Sequence, residues 1–215
     1  MKVTIFSDVH GDIYSLEKLF NIENSDRYIS LGDLVGYGPF PNDCISLAFD
    51  KCGPDNLIMG NHEAMFLDGK AHPSCSELAK KFFEASYKQY KADERIAKFK
   101  ESISLSLGHV GEYNLTHTLN EQHIYPNTKI DGFSGRNIIG HSHLQFFLPL
   151  QSGGFIINSG SLGQNRVDKN ISNYINLDLT SGSIQYKSFF SCKRRIISDM
   201  IRLGYDNDIV KYYEG

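Results

Sequence analysis

The chain has no tryptophan, only four cysteines in 215 residues, and a net charge of just -3. The cysteines (Cys44, Cys52, Cys75 and Cys192) form no C-x-x-C pair, which argues against a zinc ribbon and points to free thiols in a reducing compartment. With no excess of positive charge there is no electrostatic footprint for nucleic acid. The one dense basic cluster, Lys193-Arg194-Arg195, is short enough to be a solvated helix face. No apolar run is long enough to cross a bilayer, so a membrane is not an expected partner. The apolar start from Met1 to Phe6 meets Asp8 before it could form the core of a signal peptide, which makes the cytoplasm the expected location. Internal repeats and low-complexity tracts are lacking as well.

What remains is the composition of an ordinary globular protein, long enough to bury a core without disulfide staples. Residues 1–215 are read as a single domain, with 190–215 as a C-terminal helical extension. Val3-Thr4-Ile5-Phe6 suits a buried strand and ends in the polar loop Ser7 to Asp12, where Asp12 caps a helix with Ile13, Leu16, Leu19 and Phe20 on its apolar face. Strands are expected at Arg27 to Leu31 and Asn56 to Met59, with a helix from Pro41 to about Lys51 between them. This alternation predicts α/β organisation around a largely parallel sheet. Ser74 to Ser102 reads as one or two amphipathic helices packed on the sheet. Strand-like runs follow at Glu112–His117, Asn137–Ile139, Gln145–Leu148, Phe155–Ile157, Tyr174–Leu179 and Ser183–Phe189, the last two joined by a hairpin turn. Two short helices, split at Gly204, close the chain.

Four polar clusters each follow an apolar strand: Asp8-x-His10, Gly32-Asp33, Gly60-Asn61-His62-Glu63 and Gly140-His141-x-His143. Ligands of open α/β sheets bind beyond the carboxyl ends of strands, so the clusters can converge, with His117 as a fifth contributor. The residue types suit two divalent cations roughly 3.5–4 Å apart, which need a bridging carboxylate and imidazole or amide ligands. Asp-x-His and His-x-His in extended backbone would point both donors the same way, and the preceding glycines let the chain turn tightly beneath them. Arg166, after the Gly- and Ser-rich turn Ser159–Asn165, is a candidate phosphate contact; a surface pairing with Asp168 is the alternative. Tyr37 and Asn42 are candidates to line the pocket. The aromatic pairs Phe82-Phe83 and Phe146-Phe147 are read as packing residues.

In this order and spacing, the five metal-site motifs resemble the calcineurin-like metallophosphoesterase superfamily, in particular its small single-domain bacterial and archaeal members. Gly32–Pro39 and Ser159–Arg166 are similar to loops of those members. The resemblance implies a four-layer α-β-β-α sandwich of two facing mixed sheets. It further implies that Asp8, His10 and His143 hold one metal, Asn61, His117 and His141 the other, and that Asp33 bridges them. His62 would serve the leaving-group oxygen, while a metal-bridging hydroxide attacks phosphorus in line. The metals would be Mn, Fe, Zn or Ni, with Mn first. Thr118 stands where the family commonly has Gly, which leaves His109 and His123 as alternatives to His117; Ser159 stands where Pro is common. The expected activity is hydrolysis of a phosphomonoester, phosphodiester or nucleotide polyphosphate, and the expected partner a small phosphorylated molecule. The superfamily also includes homo-oligomers, catalytically silent scaffolds and larger nucleases.

Overall fold

The computed structural model describes residues 1–108 and 111–214. Lys2–Phe6 (β1) is followed by Ile13–Ile22 (α1), Arg27–Ser30 (β2) and Pro41–Cys52 (α2), then Asn61–Asp68 (α3) and Glu77–Tyr87 (α4). Ser102–Ser106 (β3), Glu112–Thr116 (β4), Gly135–Ile139 (β5), Phe146–Pro149 (β6), Gly154–Asn158 (β7), Ile171–Asp178 (β8) and Ile184–Phe190 (β9) lead to Lys193–Arg202 (α5) and Asn207–Glu214 (α6). Two sheets form, in the orders β2-β1-β8-β9 and β3-β4-β5-β7-β6. Both are mixed: β1 is parallel to β2 but antiparallel to β8, while β4, β5 and β7 run parallel and β3 and β6 pair antiparallel at the edges. The expectation of a largely parallel sheet fails for the first sheet. The chain returns to it as the β8–β9 hairpin, whose turn holds Gly182 at a φ of 72°.

Alternation along the strands builds the layers. Val3 and Ile5 of β1, Ile29 of β2 and Ile175 and Leu177 of β8 meet Ile103, Leu105, Leu115, Ile138 and Ile157 of the second sheet in one core. The opposite face of β1 presents Phe6 to Leu16 and Leu19 of α1 and to Cys44 and Ala48 of α2. Asp12 caps α1 as expected, accepting from the Ser15 amide at 3.0 Å and its hydroxyl at 2.7 Å. The α/β arrangement of two facing mixed sheets with flanking helices is therefore present. On the outer face of the second sheet the covering residues, Leu119 and Ile124, come from turns. All four cysteines are free, and none of the described helices is long and apolar enough to cross a membrane.

Four local expectations change. Asn56–Met59 forms no full strand: a 3-10 turn over Pro54–Asn56 and the start of α3 leave room only for isolated bridges at Leu57 and Ile58. The helix α3 was not anticipated, although Glu63 at its third position and Gly69 after its end are ordinary helix punctuation. β3 was not anticipated, although Ser102-Ile-Ser-Leu-Ser106, which starts where the segment read as helical ends, has strict two-residue alternation of burial. α4 packs on other helices rather than on a sheet, with Phe82 against Ile196, Met200 and Ile209 and Phe83 against Phe66 and Ile96. Phe147 packs as read, its ring centroid 5.3 Å from that of Phe155, although on the edge strand β6 it stays 53% exposed.

The end of α1 carries a buried charge network. Glu23 accepts from Lys2 Nζ, Tyr174 Oη (2.6 Å) and Asn176 Nδ2 (3.2 Å). Burial would raise its carboxyl, but these hydrogen bonds outweigh it and hold the group below its ordinary value. A carboxyl depressed in this way contributes stability above its unfolded pKa, and that contribution is lost as pH falls through the folded value. Glu23→Gln is therefore expected to cost about 2 kcal/mol at pH 7 in denaturant titrations, the difference from wild type narrowing below about pH 4. An equal difference at both pH values would contradict the ionised network.

Candidate metal centre

The site lies at the carboxyl ends of two parallel pairs, one from each sheet. Asp8 and His10 follow β1, Asp33 follows β2, His117 follows β4, and His141 and His143 follow β5. Asn61 and His62 open α3. All seven residues read as metal ligands come together. Asp33 Oδ2 lies 3.2 Å from His117 Nε2 and 3.9 Å from His10 Nε2, and Asp8 Oδ1 lies 3.2 Å from His143 Nε2. Asn61 Oδ1 is 3.0 Å from His117 Nε2. Three overlapping donor groups result: Asp8, His10 and His143; Asp33, His117 and His141; and His10, Asp33 and His62. His117 is thus in place despite Thr118. His123 instead stacks face to face on His141, with centroids 4.0 Å apart and 18° between planes, and His109 lies outside the described residues.

The backbone departs from the extended geometry expected of Asp-x-His and His-x-His. Among the described residues eight non-glycines have positive φ, and six of them are Asp8, His10, Asp33, Tyr37, His141 and His143, at 52–67°. Such left-handed backbone is uncommon for these residues and persists only where surrounding bonds enforce it. Here the Asp8, His10 and Gly11 amides donate to the carbonyls of Gly32, Asp33 and Leu34 at 2.8–3.0 Å, so the two loops brace each other. Two glycines serve through absence of a side chain: a Cβ at Gly60 would collide with Asp33 Oδ1, and one at Gly140 with Ser7 Oγ.

The histidines are oriented from behind. Nδ1 of His10, His117 and His143 lies 3.1, 3.0 and 2.9 Å from the carbonyls of Val35, Leu31 and Gln164. A carbonyl only accepts, so each Nδ1 carries the proton, and in the neutral ring Nε2 presents a lone pair. Yet His10 Nε2 faces His143 Nε2 at 3.0 Å, and His141 Nδ1 faces His117 Nε2 at 3.2 Å. The His10 and His143 lone pairs, directed at one another, repel unless a cation accepts both, so the donor set fits divalent metals. Asp8 Oδ1, buried and without a hydrogen bond among the described residues, fits the same role.

Electrostatics follow from burial. For Asp33 and Asp8, burial works to raise the carboxyls, but the surrounding histidines outweigh it and hold both below the ordinary range. Burial also opposes charge on His117, but Asp33 and Asp8 outweigh it and push that imidazole up to about 9. Burial, reinforced by neighbouring imidazoles, lowers His10 well below its usual value and His141 to about 3. His62 is lowered mainly by burial; its amide donates to Asp33 Oδ1 at 2.9 Å, and its Nδ1, packed against Gly36, has no partner among the described residues.

Glu63 is the residue whose importance the motif understates. Fully buried, it accepts from four amides: Asp33 (2.7 Å), Leu34 (2.6 Å), Val35 (3.2 Å) and Gly60 (2.9 Å). Burial, then the Asp33 charge, push its carboxyl up to about 7 against the pull of these amides. Tyr37 does border the site, its ring 4.6 Å from His10 and 5.2 Å from His62. Asn42 does not: its side chain bonds the Lys91 backbone. Arg166 is exposed, makes no ion pair with Asp168 and lies near Tyr37 and His123, whose pKa values its charge lowers. Asp168 instead accepts from Asn170.

Comparison with known proteins agrees with this geometry. An uncharacterized protein of Methanocaldococcus jannaschii is 26% identical across 82% of each chain. The structure of a metallophosphoesterase from Sphaerobacter thermophilus superposes with a TM-score of 0.76 at 20% identity, covering 100% of this chain and 98% of that one. A protein of Pyrococcus horikoshii OT3 superposes with a TM-score of 0.80 at 12% identity, covering 99% and 97%. Residues 1–145, which carry every residue of the donor set, match the calcineurin-like phosphoesterase family, and the chain belongs to that family.

Proposed function

We propose that this protein is a metal-dependent phosphoesterase that holds two divalent cations, one at Asp8, His10 and His143 and one at Asn61, His117 and His141, with Asp33 shared. The observation that carries this reading is the Nε2 atoms of His10 and His143 facing each other at 3.0 Å beside two buried carboxylates. Bound there, the cations supply Lewis-acid polarisation of a phosphoryl oxygen and a lowered pKa for water. The chain's own groups do the rest. Asn61 and His141 are the donors that solvent reaches, so substrate approaches from their side. Arg166 contributes an exposed positive charge for non-bridging phosphoryl oxygens. His62 serves the leaving-group oxygen from Nε2, because Gly36 walls off Nδ1. The substrate class is a small phosphate ester: a monoester, a diester or a nucleotide polyphosphate.

The test is reconstitution with Mn, Zn, Fe or Ni, with metal content and hydrolysis of chromogenic mono- and diesters measured on the same sample, followed by a screen of phosphorylated metabolites. Failure to retain any of these metals, together with no turnover of any ester, sinks the proposal. His62→Ala is expected to lower kcat by about 10²–10³-fold while metal content stays at the wild-type level. Loss of metal in that variant would move His62 from leaving-group chemistry to ligation.

A further inference from the structure

The family match ends at residue 145, but aromatic contacts carry the C-terminal helices into the centre. Tyr212 and Tyr213 of α6 pack on Phe82 of α4, with ring centroids 5.2 and 5.9 Å apart. Phe82, 1% exposed, lies 4.6 Å from Tyr37, the ring that borders His10 and His62. Tyr37 holds a φ of 52°, a conformation that bulky residues adopt only under external constraint. The constraint is visible. The Gly38 amide donates to the His10 carbonyl at 2.8 Å, and Ser86 of α4 donates to the Gly38 carbonyl at 2.7 Å. The far end of α6 is tied down too: Lys169 donates to the Tyr212 carbonyl and lies 4.0 Å from its ring, and Lys193 donates to the Glu214 carbonyl at 2.9 Å.

We propose that α6, acting through Phe82, is a positioning element of the metal centre, and that Tyr37 is the positioning residue through which it restrains the rings of His10 and His62. An edge-on ring at 4.6 Å and a tilted one at 5.2 Å leave the two imidazoles little freedom to swing. The leaving-group role of His62 rests on the phosphoesterase proposal, whereas the restraint itself does not.

Two measurements on the full-length protein test it. The first is amide hydrogen exchange of the metal-free protein, which needs no catalysis. Tyr212→Ala, whose side chain is only partly buried, and Tyr37→Leu should each speed exchange at the Gly38 amide by about tenfold or more, while the amides of β5 and β7 keep wild-type rates. Unchanged exchange at Gly38 in both variants overturns the proposal. The second measurement compares two aryl phosphate esters, one with a good and one with a poor leaving group. Tyr37→Leu should lower kcat about tenfold on the poor leaving group and distinctly less on the good one, with KM little changed. Tyr37→Phe, which keeps the ring, should recover most of that loss. Equal losses on both esters, or no recovery with Phe, overturn the positioning role. Wild-type protein inactive on both esters counts against the phosphoesterase reading, and the exchange result then decides this one.

Discussion

Asp33→Asn is expected to lower kcat/KM by at least about a thousandfold and to cut metal content to about one ion per chain or fewer. The substitution is nearly isosteric, and the retained Oδ1 can still accept from the His62 amide, which lies at 2.9 Å in the native chain. What disappears is charge. Asp33 is the group whose carboxylate reaches both imidazole sets, with Oδ2 3.2 Å from His117 and 3.9 Å from His10. An amide in its place offers one weak neutral donor where two cations need a shared anion. Elemental analysis and steady-state kinetics on one preparation check both parts. Wild-type turnover with full metal content would refute the shared-carboxylate arrangement.

Glu63→Ala is expected to destabilise the protein by about 4 kcal/mol, a loss visible as a lower denaturant midpoint without metal. The native carboxylate satisfies four buried amides on two loops, and alanine leaves all four without an acceptor. Glu63→Gln should fall between the two. Its carbonyl keeps one pair of donors, either Leu34 and Val35 or Asp33 and Gly60, while its NH2 group confronts the other pair, donor against donor. Because Asp33 and Asn61 flank these amides, the glutamine variant should also bind metal about 10- to 100-fold more weakly, as is usual when the groups that orient ligands are changed. A glutamine variant with wild-type stability and metal affinity would show that Glu63 is only a helix cap.

The candidate metal centre was legible because its information is local. Asp8-x-His10 and Gly140-His141-x-His143 sit where an apolar strand stops, Gly60-Asn61-His62-Glu63 follows the isolated bridges at Leu57 and Ile58, and strand ends in α/β sheets converge. Arg166 was legible as a cation after a small-residue turn, although its exposed guanidinium has a role only by proposal. β3 and α3 carried readable signals, burial alternation in one and helix punctuation in the other, that the sequence reading passed over.

The left-handed backbone at Asp8, His10, Asp33, His141 and His143 had only a weak signal, since Asp and His adopt it more readily than most residues but still seldom. What enforces it is bonding between separated loops: the Asp8 and His10 amides donate to the Gly32 and Asp33 carbonyls, and the His141 amide to Asp8 Oδ2. The same holds for the tautomers of His10, His117 and His143, which depend on carbonyls 21 to 86 positions away.

By itself, then, the order of residues determined which side chains could ligate and that they would gather at strand ends, because residue type and hydrophobic periodicity act over a few positions. Only the tertiary structure decided how they are aimed: which nitrogen of each histidine faces the centre, which carboxylate lies between the two groups, and how Glu63, Phe82 and the C-terminal helix brace the loops. Aim is set by hydrogen bonds and ring contacts between segments far apart in the chain, and such contacts exist only once the two sheets have closed on their common core.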